Sequence, residues 1–244
     1  MIRIDAADVA GLTSAQTAAM LAQRLGRADD LSRARMPLPS ALAQLLPAGV
    51  AAGSMIAHTG STLPVQAMAA AVTAAGQHVA LVAPTGRPDT AWSLLAVHEL
   101  GGDLRRLAVI GPVPVDGAQA VVHTLLDGMD LVIAGAGLSA PRSLRVLQAR
   151  ARKTGATLLI TGTDRVEGAD LTVTARCVAA EGIGQGRGRL RAREHQVRLT
   201  PRGGRVVHGL LRTEPAAGGL IECTLRSDAT AARWTPRLLT GTDS

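Results

Sequence analysis

Between residues 54 and 161, short apolar runs alternate with helix-length segments, and this alternation restricts the fold more than any other feature of the chain. The runs at 54–57, 79–83, 107–110, 131–134 and 157–161 predict strands, and the segments at 64–75, 89–100, 116–126 and 141–154 predict helices. Unbroken apolar runs of this length belong to strands covered on both faces, and helix-length spacers supply the crossovers that parallel neighbours need. The expected class is therefore α/β, with a mostly parallel central sheet covered by helices. From residue 171 the spacers disappear. Strands are expected at 171–179, 188–199, 205–211 and 220–225, as an antiparallel extension at one edge of the sheet.

The first strand and helix of this series stand where a nucleotide-binding loop would be. Residues 53–57 read as a buried strand, His58 to Thr62 as a turn, and Pro64 as a residue near the first position of the next helix. A phosphate loop follows the pattern Gly-x-x-x-x-Gly-Lys-Ser/Thr, because its backbone N–H groups surround the phosphates while the lysine reaches the terminal ones. Counted from Gly60, the required second Gly, Lys and Ser/Thr fall on Val65, Gln66 and Ala67. Lys153 is the only lysine in the chain, so no other register supplies one. Thr59, Gly60, Ser61 and Thr62 thus form a degenerate phosphate loop. Two readings of it stay open: an anion held on N–H groups at a helix start, or an ordinary strand–helix turn.

Composition narrows the rest. With 47% hydrophobic residues over 244 positions, a sizeable core can be built. No apolar run reaches the roughly 18 residues of a membrane span, and the first residues do not read as a signal peptide, so a cytoplasmic location is expected. Cys177 and Cys223 suggest neither a disulfide framework nor a metal site, and two buried reduced thiols are expected. His58, His78, His98, His123, His195 and His208 show no metal-ligand spacing. The net charge of +7 comes almost wholly from arginine, which suits a polyanion or an acidic partner. Tyr and Phe are absent and Trp occurs twice, which argues against a stacking platform for single strands.

Three stretches offer partner contacts. Arg187, Arg189, Arg191 and Arg193 recur at period two, which would place them on one strand face, with Arg198 further along the strand. They form either a basic ridge for phosphates or acidic protein surface, or a solvated face. Thr13 to Gln16 resembles a capping box ahead of a helix to about residue 25, on which Ala18, Leu21 and Leu25 share a face. Residues 26–35 read as a linker. Beyond residue 227 the chain is polar and proline-containing and reads as a mobile tail, with Trp234, Leu238 and Leu239 as an apolar island. The expected division is 1–35, a core at 36–226, and a tail at 227–244. The glycines at 182, 184, 186 and 188 lie between strands and read as a hairpin loop, since a dinucleotide fingerprint must open a helix.

The stretch Leu38-Pro39-Ser40-Ala41-Leu42, then Leu46-Pro47-Ala48-Gly49 ahead of the strand at 54, resembles the lead-in to the phosphate loop of RecA-type ATPases. Val79 to Pro84, Ala96 to Asp103, Leu107 to Pro112, Asp130 to Ile133 and Thr157 to Thr161 continue the same order. The resemblance covers about residues 38–200 and is strongest to the catalytically degenerate ImuA branch, including its ImuA-prime form. It implies a RecA-like fold and a damage-induced accessory role in mutagenic translesion synthesis. The partners expected with it are an ImuB-type Y-family polymerase homologue, a DnaE-type polymerase and RecA; weak contact to DNA backbone is the reading of the arginine ridge at 187–198. Relative to active RecA, the loop lysine is missing, 79–83 runs into Pro84-Thr85-Gly86-Arg87 where a carboxylate would stand, and 131–134 runs into Gly135 where a metal-organising acid would stand. Both stretches that would contact a single strand, 135–140 and 162–168, are short.

The resulting expectation is a protein that is no enzyme, has no catalytic residue, cofactor or metal, and acts as an adaptor of a translesion complex. A DNA-binding recruitment module and a SulA-type division inhibitor are the alternatives.

Overall fold

The computed structural model describes residues 34–84, 93–135, 138, 141–164, 166–184 and 187–226. The expected helix at 13–25, with Leu21 and Leu25, and the tail residues Trp234, Leu238 and Leu239 lie outside them. So does the start of the helix expected at 89–100.

The strands are β1 (Arg35–Met36), β2 (Val50–Ala51), β3 (Met55–Gly60), β4 (Val79–Pro84), β5 (Leu107–Val113), β6 (Leu131–Gly135), β7 (Thr157–Thr161), β8 (Leu171–Gly184), β9 (Arg187–Pro201), β10 (Val207–Pro215) and β11 (Ile221–Leu225). The described helices are α1 (Ser40–Leu45), α2 (Leu63–Ala74), α3 (Leu94–Glu99), α4 (Val115–Leu125) and α5 (Pro141–Thr154). β1 and β2 form a small antiparallel pair, and the other nine strands form one sheet in the order β11-β10-β9-β8-β3-β7-β6-β4-β5. From β8 to β5 all neighbours are parallel; from β8 to β11 all are antiparallel. The α/β class and the antiparallel extension are thus both present.

Connection handedness explains where the helices lie. The chain steps outward from β3 to β4 to β5, then returns inward through β6 to β7 beside β3. Right-handed crossovers in opposite directions must put their helices on opposite faces. Accordingly, α2 and α3 pack Val65, Met68, Val72 and Val97 against Ile56, Leu81, Ile133 and Leu159. On the other face α4 and α5 pack Val122, Leu144, Leu147 and Ala151 against Met55, Ala57, Val132, Leu158 and Ile160. Adjacent residues such as Leu158 and Leu159 serve different cores, which is why these strands read as unbroken apolar runs.

Among the described residues, only one face of the extension joins the apolar core. Val173, Ala175, Val197, Leu199 and Leu211 join the α2-side core. Gly209 lets the Leu45 side chain of α1 close over β10, since a Cβ there would collide with it. The opposite face carries Thr174, Arg176, Gln196, Arg198, His208 and Arg212. Among the described residues no helix is long and apolar enough to cross a membrane.

Candidate functional site

The turn after β3 sits at the carboxyl ends of the parallel strands, near the strand where the order of connections reverses. Open α/β sheets bind ligands there. The sequence pattern makes His58 to Thr62 a turn. The structure corrects this: β3 continues through Thr59 and Gly60, because β8 runs alongside and pairs Thr59 with Thr174 and Gly60 with Ala175. Only Ser61 and Thr62 then remain before α2 begins at Leu63.

Those two residues are tied down. The Ser61 N–H donates to the Ala175 carbonyl at 2.8 Å, and the Val65 and Gln66 N–H groups both donate to the Thr62 carbonyl. Gly60 has φ +91°, and a Cβ on it would strike the Ala175 carbonyl oxygen. Two histidines close the turn from the sides. His58 donates from Nε2 to the Ser61 carbonyl at 2.8 Å, which fixes its tautomer and leaves Nδ1 as a buried acceptor without a partner. His195, on β9, shares a hydrogen bond of 2.9 Å between Nδ1 and the Ser61 hydroxyl, and its buried Nε2 has no partner among the described residues. Burial holds the His58 pKa below the ordinary histidine value, against a hydrogen bond that raises it. Burial, helped by the nearby Arg193 charge, pushes His195 down to about 4. Both rings are therefore neutral near pH 7. Gln66, at the position counted for the loop lysine, is 6% exposed on α2.

The neighbouring loops are also bound into the fold. Thr163 bridges back to His58 through its N–H, Val166 enters the α5-side core, and Gln148 of α5 donates to the Gly168 carbonyl. Asp130 lies at the amino ends of the strands, as its place before β6 requires, and accepts from the His78 N–H at 2.8 Å. Its role is to tie β4 to β6, far from the Ser61 turn. Among the described residues no group of three or more His, Cys, Asp or Glu could hold a metal.

The arginine series lies on β9. Arg189 and Arg191 are exposed and Arg193 is half-buried; for Arg187 only the strand position is described. The register slips between Glu181 and Ile183, where β9 runs from Ala192 to Gly188 against two residues of β8, so the even alternation of a flat ridge is interrupted. Arg198 stands apart, half-buried between Thr174 and His208, with its Nε enclosed and without a hydrogen-bond partner.

Beside these lies a charge network that sequence reasoning missed. Arg212 on β10 donates to Glu181 at 2.6 and 2.8 Å, to Glu214 at 2.7 Å and to Glu194 at 3.1 Å. Arg226 also donates to Glu194, at 2.7 Å. Hydrogen bonds from Arg212 hold the Glu181 carboxyl below its ordinary range, and those from Arg226 and Arg212 do the same for Glu194. Glu181 and Arg212 are 31 residues apart, so only the β8–β9–β10 pairing brings them together.

The thiols differ from expectation. Cys223 is half-buried and pushed up to about 11 by burial, whereas Cys177 is exposed. The reason is local: β3 stops pairing with β8 at Ala175, and Cys177 lies just past that cover.

Comparison with known proteins connects this architecture to others. The family model described as the MT3502 N-terminal domain matches residues 44–168. That span runs from the end of α1 through β7 and stops before β8. The uncharacterized protein Rv3395c of Mycobacterium tuberculosis is 39% identical over 163 residues, covering 60% of this chain and 76% of that protein.

Proposed function

We propose, for a chain that belongs to the MT3502 N-terminal domain family, a role as a non-catalytic adaptor with a RecA-like core. In this reading it serves a damage-induced mutagenic translesion complex and binds an ImuB-type Y-family polymerase homologue. The observation that carries the reading is the turn after β3. The element order is that of a nucleotide-binding sheet, yet two residues join β3 to α2 and the Ser61 N–H is already spent on Ala175. A phosphate cradle works through several converging N–H groups and a lysine; here the Ser61 N–H is taken, Pro64 has none to give, and the position counted for the lysine is Gln66. A fold of this kind keeps its value as a rigid support for surfaces, and β8–β11 add such surfaces outside the span matched by the family model.

The test is capture of a purified ImuB-type homologue by the intact chain, by a version ending at Leu225 and by one lacking residues 1–35. Capture by the intact chain supports the adaptor role, and its loss in one deletion assigns the surface to that end. No capture by the intact chain sinks the proposal. ATP hydrolysis by the purified protein, abolished by substitutions in 59–62, would overturn the non-catalytic half.

A further inference from the structure

β8 and β9 are much longer than the strands beside them. β3 flanks β8 only from Leu171 to Ala175, and β10 flanks β9 only from Leu199 to Arg193. Beyond those points the two strands pair with each other alone, from Glu181 opposite Ala192 to Gly184 opposite Arg187. The result is a two-stranded arm that projects past the sheet at the carboxyl end of β3. Gly182, at φ +93°, lets the strands close tightly, since a Cβ there would meet the Arg189 carbonyl and the Arg191 backbone.

The charge on this arm is one-sided. From Gly182 to Arg193 the sequence holds four arginines and no acid. The acids at the root, Glu181 and Glu194, are taken by Arg212 and Arg226. Several arginines elsewhere find carboxylates: Arg105 and Arg106 with Asp103, Arg145 with Glu167, Arg150 with Asp127, Arg152 with Asp170. Arg189, Arg191 and Arg193 make no ion pair among the described residues. The two acids at the arm's root are thus held by other arginines and do not offset this set.

We propose that the β8–β9 arm binds duplex DNA, with Arg189, Arg191 and Arg193 contacting the phosphate backbone. A two-stranded antiparallel ribbon fits a major groove roughly 12 Å wide. Arg189, Arg191 and Arg193 concentrate positive charge on a short stretch of one strand, which suits a polyanion, and the irregularity between Gly188 and Ala192 breaks their even spacing. An acidic protein partner fits less well, because tight protein interfaces centre on buried apolar or aromatic anchors: the β9 side of the arm exposes glycine and arginine at 188, 189 and 191, and the one large apolar side chain exposed on its described β8 side is Val178, at the root. A single strand fits less well, because the arm has no aromatic side chain for base stacking. The inference stands on the arm's charge and shape and does not depend on the adaptor reading.

The test is fluorescence anisotropy of a labelled 30-base-pair duplex of mixed sequence with the full chain, across a salt series. Affinity should fall with salt, and Arg189→Ala/Arg191→Ala/Arg193→Ala should reduce the slope of log K against log salt by about 0.9 per lost phosphate contact. At physiological salt the triple variant should bind at least about tenfold more weakly. Arg142→Ala/Lys153→Ala, which removes two basic side chains of α5, should leave the slope unchanged. Arg189→Ala/Arg191→Ala, confined to exposed positions, guards against a folding defect and should lose part of the slope with an unchanged thermal melt. Binding equal to wild type in both arm variants overturns the inference. So does absence of salt-dependent duplex binding by the intact chain, preference for a single strand of the same length, or equal competition by polyglutamate.

Discussion

The parallel half of the sheet and its antiparallel half solve different problems. In β3, β4, β6 and β7 the described residues are largely buried on both faces and helices supply the cover, while the edge strand β5 is only partly covered, with Val109 exposed; polar groups such as Asp130 and Thr163 are used to pin loops and strand ends. From β8 to β11 one face joins the apolar core and the other carries polar and charged side chains, and the strands are held by hairpins, two register shifts and the Arg212 network. Burial fixes the first half and leaves few groups to spare. Pairing fixes the second, and so its charged side chains remain available to something else.

The contrast makes a ranked set of expectations. The largest effect belongs to the doubly covered half: Leu158→Ala should cost about 2–5 kcal/mol in urea unfolding, whereas Leu220→Ala, at 41% exposure, should stay within about 0.5 kcal/mol. Equal costs would erase the distinction between the halves. Next comes the seam. Gly60→Ala should cost about 1–3 kcal/mol from its positive φ alone, with the collision against Ala175 added; a variant as stable as wild type would mean β3 and β8 can separate freely.

Acid should come third. His195 stays neutral in the fold until about pH 4, and His58 is shifted the same way, while both ordinarily take up a proton near 6.5. The unfolded chain therefore binds more protons below about pH 6.5, and stability falls as pH drops from there toward 4, by up to roughly 1.4 kcal/mol per unit for His195, with His58 adding in the same direction. His195→Gln should flatten the decline; an unchanged slope would remove that ring as its source. Arg212→Ala should lower the urea midpoint at low salt, and the gap from wild type should narrow in high salt if charge attraction is what joins the strands. The smallest effect is at Cys177→Ser, within about 0.5 kcal/mol. In the folded protein a thiol reagent at pH 8 should modify Cys177 well before Cys223, and the reverse order would place the cover of β8 wrongly.

Much of the parallel half was legible because its punctuation is strong. α5 and β7 run over the expected residues, with Pro141 opening the helix and Gly155 following its end. β3 was harder. Gly60 looks like a turn residue, but it is needed where β8 comes too close for a side chain, and a partner strand more than a hundred residues away is invisible locally. The same distance hid the Ser61–His195 contact, 134 residues apart. The arginine period on β9 could be seen in the sequence. That Glu181 and Glu194 are claimed by Arg212 and Arg226 could not, because the bulge and hairpin registers decide who faces whom. Placing both thiols inside failed for a related reason: apolar neighbours mark a strand, but how far the next strand extends decides its cover.

The join between β3 and α2 has a consequence for anyone who would re-engineer this protein toward nucleotide binding. Gln66→Lys would set an ammonium inside a packed helix face, with no ring of amides in front of it. What is missing is contour: a cradle would need residues inserted between Gly60 and Leu63, and the inserted chain would have to displace the Ser61–Ala175 bond and both histidine clamps before it could arch. Point substitutions add no length to the turn, so they alone cannot rebuild the cradle.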